Sequence, residues 1–476
     1  MGNKYPIGPT DSDITIDDSD VLFDVDKYCG VITLNRAKKL NSLNISMIDK
    51  LFQFYITESK SKVNLFIQTS ATSRAFCAGG DVVALAKFDN AGYPENSIRL
   101  FVSEYSMNYF LSRFKKPVVS LLNGITMGGG CGLSLHSPFR VVTESTRLAM
   151  PEMAIGFFPD VGASYFFSRL EGYLGWYLCL TGDILQGYDN MFAGTGTHFV
   201  RNDKLGALTK ALVAISNEYG DKFEVGKVTG YYHEWYGIVN ETIESFAETA
   251  PPGYQYQYST EELKIINEMF SSTTTIEGVF EFLEDLVAKK NNWFAKQTLK
   301  KFEDRSLLSI KIGYKILQYG ATHDNYQALS EELTLSNNMN INHDKLDLTE
   351  GIFKKLILKT NDPDWKFKNI HNIPDEYVEK WCFSPTIERF GAIHKFSGNW
   401  ALYPDSHDYV LNKFTLPTEA LVDEYLDHHR DYSVKSIVDH LQGIYPQLKA
   451  KRGITEKVEF IMINKGLLQN TSSSKL

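Results

Sequence analysis

Paired cysteines, long apolar runs and clustered positive charge are what this 476-residue chain has least of. Its five cysteines, Cys29, Cys77, Cys131, Cys179 and Cys382, lie far apart with no CxxC pair. That argues against a disulfide framework or a structural zinc site and for a reducing compartment. The longest apolar stretch, Phe166 to Leu180, is interrupted by Ser168, Arg169 and Glu171. No segment therefore reaches the roughly 18 apolar residues of a membrane span. The formal charge of −9 and pI near 5.7 argue against a polyanion partner such as nucleic acid. The first twenty residues hold one Lys and no Arg but carry Asp11, Asp13, Asp17, Asp18 and Asp20, unlike a basic mitochondrial presequence. Pro6 stands where a myristoylation motif wants Ser or Thr.

What is present begins with alternation. Val31 to Leu34 reads as a strand, followed by a helix with Met47, Ile48, Leu51, Phe52 and Tyr55 on one face. The theme repeats with a strand at Leu65 to Thr69, a glycine turn, and a helix bearing Ile98, Phe101, Val102, Tyr105 and Tyr109. A third strand, Pro117 to Leu122, leads into a second glycine turn. Alternation through about residue 200 predicts an α/β core. From about Asn217 the pattern turns helical, for example at Glu261 to Phe270 and Ile276 to Ala288. Further helices are expected at Thr418 to Arg430 and Val434 to Leu441. The expected division is an acidic leader at 1–20, the α/β core at 21–216, a helical part at 217–383, and an extension at 384–476. The last three residues, Ser474-Lys475-Leu476, have the form of the address read by the peroxisomal import receptor.

Two glycine turns carry the chemistry. The first is Ala75-Phe76-Cys77-Ala78-Gly79-Gly80-Asp81; the second is Gly124-Ile125-Thr126-Met127-Gly128-Gly129-Gly130-Cys131-Gly132-Leu133. Neither fits the Walker lysine motif or the GxGxxG fingerprint, which disfavours nucleotide hydrolysis and nicotinamide binding. Taken singly, either turn is ordinary tight packing. Together they can expose two N–H donors to one developing negative charge, the requirement of an oxyanion hole.

With Leu34-Asn35-Arg36, Ala75 to Val82, Gly124 to Leu133 and Met150-Pro151-Glu152 through Val161-Gly162 in this order, the chain resembles the crotonase superfamily. Glu104-Tyr105-Ser106-Met107-Asn108, Gly156-Phe157-Phe158-Pro159-Asp160 and Thr197-His198-Phe199-Val200 resemble its 3-hydroxyisobutyryl-CoA hydrolase branch. The likeness continues more weakly through Glu350-Gly351 and Trp365, covering about residues 20–383. It implies a crotonase-like ββα spiral with a mostly α-helical C-terminal part. It also implies hydrolysis of a short 3-hydroxyacyl-CoA, either 3-hydroxyisobutyryl-CoA from valine breakdown or 3-hydroxypropionyl-CoA.

Carried over residue by residue, the backbone amides of Ala78 and Gly129 would grip the thioester oxygen, with Gly80 beside the first. Glu152 would be nucleophile or general base, Asp160 would position water or move a proton, and Glu104 would hold the 3-hydroxyl. Arg36, Lys38, Ala78, Gly79, Gly80 and Asp81 fall where coenzyme A is contacted. Coenzyme A belongs to the substrate, and no separate cofactor or metal is expected. Where hydratases place the first of two glutamates, this chain has Gly132, and Asp160 stands where they have glycine. Two other readings compete: a non-catalytic crotonase-fold subunit of a mitochondrial ribosome, and an enoyl-CoA hydratase. The tail favours a peroxisome, with the mitochondrion as alternative. His136 and His198 sit in apolar settings that suit packed imidazoles better than acid–base groups.

Overall fold

A computed structural model describes residues 5, 7, 17–222, 234–385, 392–394 and 413–469. The strand read at Val31 to Leu34 is half of a hairpin. Strand β1 (Val21–Asp26) runs antiparallel to β2 (Cys29–Leu34), with Val21 opposite Leu34 and Asp26 opposite Cys29. Helix α1 (Ile45–Ser59) starts where the Asn44 side chain accepts the Met47 N–H. It buries Met47, Ile48, Leu51 and Tyr55 on one face.

The remaining core elements are β3 (Leu65–Ser70), β4 (Ala75–Cys77), α2 (Val82–Asn90), α3 (Pro94–Ser112), β5 (Val118–Leu122), β6 (Ile125–Met127), α4 (Gly129–Leu135), β7 (Phe139–Val142), β8 (Arg147–Ala149), β9 (Leu185–Gln186) and β10 (His198–Phe199). Strands β3, β5 and β7 join a six-stranded sheet ordered β1-β2-β3-β5-β7-β10. Strands β4, β6 and β8 join a second sheet ordered β4-β6-β8-β9. The chain thus lays one strand in each sheet per turn of a spiral. Parallel neighbours require such a crossover, because a tight hairpin can join only antiparallel strands. The spiral aligns the carboxyl ends of β4, β6 and β8, with Cys77 beside Thr126 and Met127 beside Ala149. Ligand sites of α/β sheets form at such carboxyl ends.

Beyond the spiral lies a helical layer. Its helix α5 (Asn325–Ile341) opens with a capping box in which Asp324 and Gln327 exchange backbone and side-chain bonds. It packs along α3 and buries polar residues, Glu332 and Ser336 among them. Near the C-terminus, α6 (Glu419–His428), α7 (Val434–Ile444) and α8 (Ile454–Asn464) make a small apolar core of their own around Val422, Ile437, Leu441 and Val458. Ion pairs tie this unit to the body: Lys451 Nζ lies 2.8 Å from Glu244 Oε1, and Lys457 Nζ lies 2.6 Å from Glu171 Oε2. The cysteines are five buried thiols. Among the described residues no helix is long and apolar enough to cross a membrane, and no cluster of three potential ligands is poised for a metal ion.

Candidate active site

The loop after β2 is stapled to the turn after β4. Leu43 N–H donates to Gly79 carbonyl at 2.7 Å, Asp81 N–H to Leu43 carbonyl at 2.8 Å, and Ala78 N–H to Leu40 carbonyl at 3.0 Å. This last bond corrects one expectation. The Ala78 amide is spent on Leu40 and is not free for a substrate oxygen. The amides of Gly79 and Gly80 meet no acceptor among the described residues, and of the two it is Gly80 N that lies against the second glycine turn, 3.4 Å from a Cβ built on Gly129.

Leu40 and Asn41 both stand at positive φ, 51° and 56°, which is uncommon for residues other than glycine. Asn41 explains how the strain persists. Its side chain accepts the Arg36 N–H at 2.8 Å and donates to Ala75 and Phe76 carbonyls at 3.2 and 2.9 Å. The strained pair aims the Leu40 carbonyl at Ala78 and leaves Gly80 as the donor.

The second amide is Gly129, the first residue of α4, whose N–H has no partner within the helix. The two turns are adjacent: a Cβ built on Gly129 would lie 3.4 Å from Gly80 N, and one on Gly79 would lie 3.7 Å from Gly129 N. Carboxylates press on the same turn. A Cβ on Gly129 would fall 2.5 Å from Glu104 Oε1, and one on Gly128 would fall 2.7 Å from Glu152 Oε1. A side chain at either position would displace the carboxylate beside it, and Gly128 also stands at φ 49°, which favours glycine.

Glu104, Glu152 and Asp160 are all buried. Glu104 Oε1 and Glu152 Oε2 have no hydrogen-bond partner among the described residues. Burial, then the nearby Asp160 charge, pushes both glutamates well above the ordinary carboxylate range. Burial also raises Asp160, to about 7, against a stabilising hydrogen bond from Tyr105. Unpartnered buried oxygens and raised carboxyls in one place are the features of a site built for chemistry.

The turn that carries Asp160 is itself strained, with β-branched Val161 at φ 57°. Glu332 of α5 holds it by accepting the Gly162 N–H at 2.6 Å and the Ser164 N–H at 3.0 Å. His136 Nε2 meets the Val161 carbonyl at 2.9 Å, so this imidazole supports the turn as a donor. His198 lies apart, with Nε2 3.1 Å from Asn240 Oδ1 and 3.2 Å from Glu244 Oε1.

Gly132 has a physical reason. A Cβ there would stand 2.7 Å from Val161 Cβ and 3.0 Å from Asn108 Nδ2, so no glutamate fits. Arg36 pairs with Asp81 at 2.8 Å and donates to the Ser42 carbonyl, beside the first glycine turn. Lys38 is exposed on the short 3-10 turn Ala37–Lys39. Sequence reasoning missed Asn41, Tyr105 and Glu332. Tyr105 left a trace in its place on α3, where Glu104 and Asn108 put polar groups on an otherwise apolar stripe.

The arrangement defines a class. Residues 29–382 match the enoyl-CoA hydratase/isomerase family, and the chain belongs to it. Within that class, a mitochondrial 3-hydroxyisobutyryl-CoA hydrolase of Danio rerio is 37% identical over 372 residues, 78% of this chain and 91% of its own length. A 3-hydroxyisobutyryl-CoA hydrolase 1 of Arabidopsis thaliana is 34% identical over 364 residues, 76% of this chain and 91% of its own. The small ribosomal subunit protein mS47 of Schizosaccharomyces pombe is 33% identical over 371 residues, 75% of this chain and 81% of its own. Among solved structures, a carnitinyl-CoA dehydratase from Mycobacterium thermoresistibile superposes with a TM-score of 0.67 at 29% identity, covering 78% of this chain and 98% of that one. The expected family, crotonase fold and kinship with these hydrolases are therefore met.

The peroxisomal location is not. Relatives from fish, frog and chicken carry "mitochondrial" in their names and point to the mitochondrion instead. A tripeptide of common residue types weighs little against an alignment of 372 residues. Ser474-Lys475-Leu476 lies outside the described residues, and the import receptor is withdrawn as a partner.

Proposed function

We propose that this protein hydrolyses a short 3-hydroxyacyl-CoA, 3-hydroxyisobutyryl-CoA or 3-hydroxypropionyl-CoA, to the free hydroxy acid and coenzyme A. The observation that carries the reading is the pair of open amides at Gly80 and Gly129 with the Glu152 carboxylate against the same turn. Each amide of such a pair is worth about 2.7 to 4 kcal/mol to a developing oxyanion.

The thioester oxygen lies between the two amides. Glu152 delivers the oxygen nucleophile, either through a water it deprotonates or by its own carboxylate, in which case the mixed anhydride formed is opened by water to release the acid and restore Glu152. Two buried carboxyls that repel each other hold one negative charge between them near neutrality. When the charge is on Glu152 the proton is on Asp160, available to the departing thiolate. The carbonyl carbon gains an oxygen and loses sulfur, and coenzyme A leaves as the thiol. Glu104, neutral through burial, hydrogen-bonds the 3-hydroxyl. Arg36, Lys38 and the Gly79–Asp81 backbone contact coenzyme A.

A second reading, a structural subunit without activity, draws on the mS47 relative. Measuring free thiol across a panel of short acyl-CoA esters separates the two. Release from the 3-hydroxy esters without change in enoyl absorbance supports the hydrolase. Absence of thiol release together with cosedimentation with mitochondrial ribosomes establishes the subunit. Between the two hydroxy esters a single methyl separates the candidates, worth about 1 to 3 kcal/mol of discrimination.

A further inference from the structure

The mechanism above leaves one buried chain of hydroxyls unassigned. Tyr105, on α3 beside Glu104, donates its phenolic hydrogen to Asp160 Oδ2 at 2.7 Å. Ser336 Oγ of α5 lies 2.7 Å from the same phenol oxygen. A phenol has one hydrogen; with it committed to the carboxylate, Ser336 is the donor to Tyr105. The chain reads Ser336 to Tyr105 to Asp160, and it joins the helical layer to the catalytic turn. Hydroxyl donors polarise one another in series, which strengthens the last bond.

We propose that Tyr105, backed by Ser336, is a positioning residue that makes Asp160 the resting seat of the site's negative charge, in preference to Glu104 and Glu152. Three facts carry this. No ammonium or guanidinium among the described residues bears on any of the three carboxyls, and burial raises all three, so the donors each receives bear directly on where the charge rests. Glu104 Oε1 and Glu152 Oε2 are unpartnered, whereas Asp160 receives a side-chain donor. The other titratable groups facing Asp160 do not compete. The Cys131 thiol is kept neutral by burial, and Glu332 holds its own donors from Gly162 and Ser164.

The consequence for rate rests on the hydrolysis reading; the placement of charge does not. A resting charge on Asp160 keeps Glu152 protonated until substrate arrives. A bound ester then needs only a proton shift between two carboxyls to arm the nucleophile and load the acid together.

The test titrates Asp160 directly. Infrared difference spectra, with Asp160→Asn to assign the carboxyl band, follow its ionisation in the resting full-length protein. The wild-type transition is expected near pH 7. Tyr105→Phe keeps the ring that packs 5.6 Å from Phe101 and removes only the donor. It should raise the transition by about one pH unit, and Ser336→Ala should raise it less. The acid limb of kcat/KM should follow, with Tyr105→Phe about tenfold slower than wild type well below the transition and near wild type well above it. A merely structural role would depress activity at every pH and leave the limb in place. An Asp160 transition unmoved in both variants overturns the proposal. A wild-type protein that releases no thiol from any ester sinks the hydrolysis reading, and the titration still decides for or against Tyr105.

Discussion

Glu152 and Glu244 are both glutamates that water scarcely reaches, at 7% and 4% exposure, yet they depart from the ordinary carboxylate range in opposite directions. Burial pushes each upward. At Glu152 the nearest charge is another carboxyl, so burial and repulsion add. At Glu244 the Lys451 ammonium and His198 overcome burial and draw the carboxyl down to about 2. Glu244 Oε2 also accepts the Arg452 N–H at 3.1 Å, so the outer residues of 445–452 dock on a fully used carboxylate. The contrast teaches how to tell a buried acid that holds structure from one kept for chemistry. The first is saturated with donors and counter-charge; the second is left short of both.

The largest effect belongs to the unsaturated site. Glu152→Gln removes the nucleophile's charge and should lower kcat for thiol release by on the order of 10³-fold. It should leave acyl-CoA binding intact and the melting temperature unchanged or raised, because it removes a buried carboxyl whose Oε2 has no partner among the described residues. A rate near wild type would remove Glu152 from the mechanism. At the saturated site the cost appears in stability. Lys451→Met strands the Glu244 charge and should cost about 3 to 5 kcal/mol, read by urea unfolding or by hydrogen exchange in α6 to α8. Thiol release at permissive temperature should survive. Adding Glu244→Leu should recover part of the loss, and failure to do so would mean that Lys451 acts through something other than this pair.

Gly132→Glu sharpens the contrast from within the site. It restores the residue type that hydratases carry, at a position already filled by Val161 and Asn108. Overpacking should cost about 1 to 3 kcal/mol, and no hydration of enoyl esters should appear. Gain of hydratase activity would show that Val161 and Asn108 yield.

How much of this was open to the sequence follows from how local each feature is. The glycine turns, the α3 stripe and the strands at Val31, Leu65 and Val118 are written in short windows, and the fold has them there. Strand β1 escaped notice because Asp24 and Asp26 depress strand propensity, and it exists through pairing with β2. The choice between Ala78 and Gly80 as donor depends on the positive φ of Leu40 and Asn41, which no motif spells out. Tyr105 meets Ser336 across 231 residues, and Lys451 meets Glu244 across 207. Such contacts come from the path of the spiral and the docking of helices, which a linear pattern does not contain.

The smallest effect is spread over pH, and the two regions should pull stability in opposite directions. Glu244 and His198 both have depressed values, about 2 against an ordinary 4.5 and about 4 against 6.5. The unfolded chain binds those protons more tightly. Their contribution is therefore whole above the ordinary values and drains as pH falls through about 4 and then about 2. Asp160 and Glu332 are raised by burial, to about 7 and about 8. Here the folded chain binds protons more tightly, so the contribution is whole at low pH and is lost as pH rises through those values. Melting temperature should thus fall by a few degrees on each side of a maximum in mildly acidic solution. Asp160→Asn should shallow the alkaline fall, leaving the share of Glu332, and Lys451→Met should lower melting most where Glu244 is ionised and so shallow the acid fall. An Asp160→Asn variant whose melting follows the wild-type curve above neutrality would mean that its carboxyl gains no proton affinity on folding, and the contrast with Glu244 would fail.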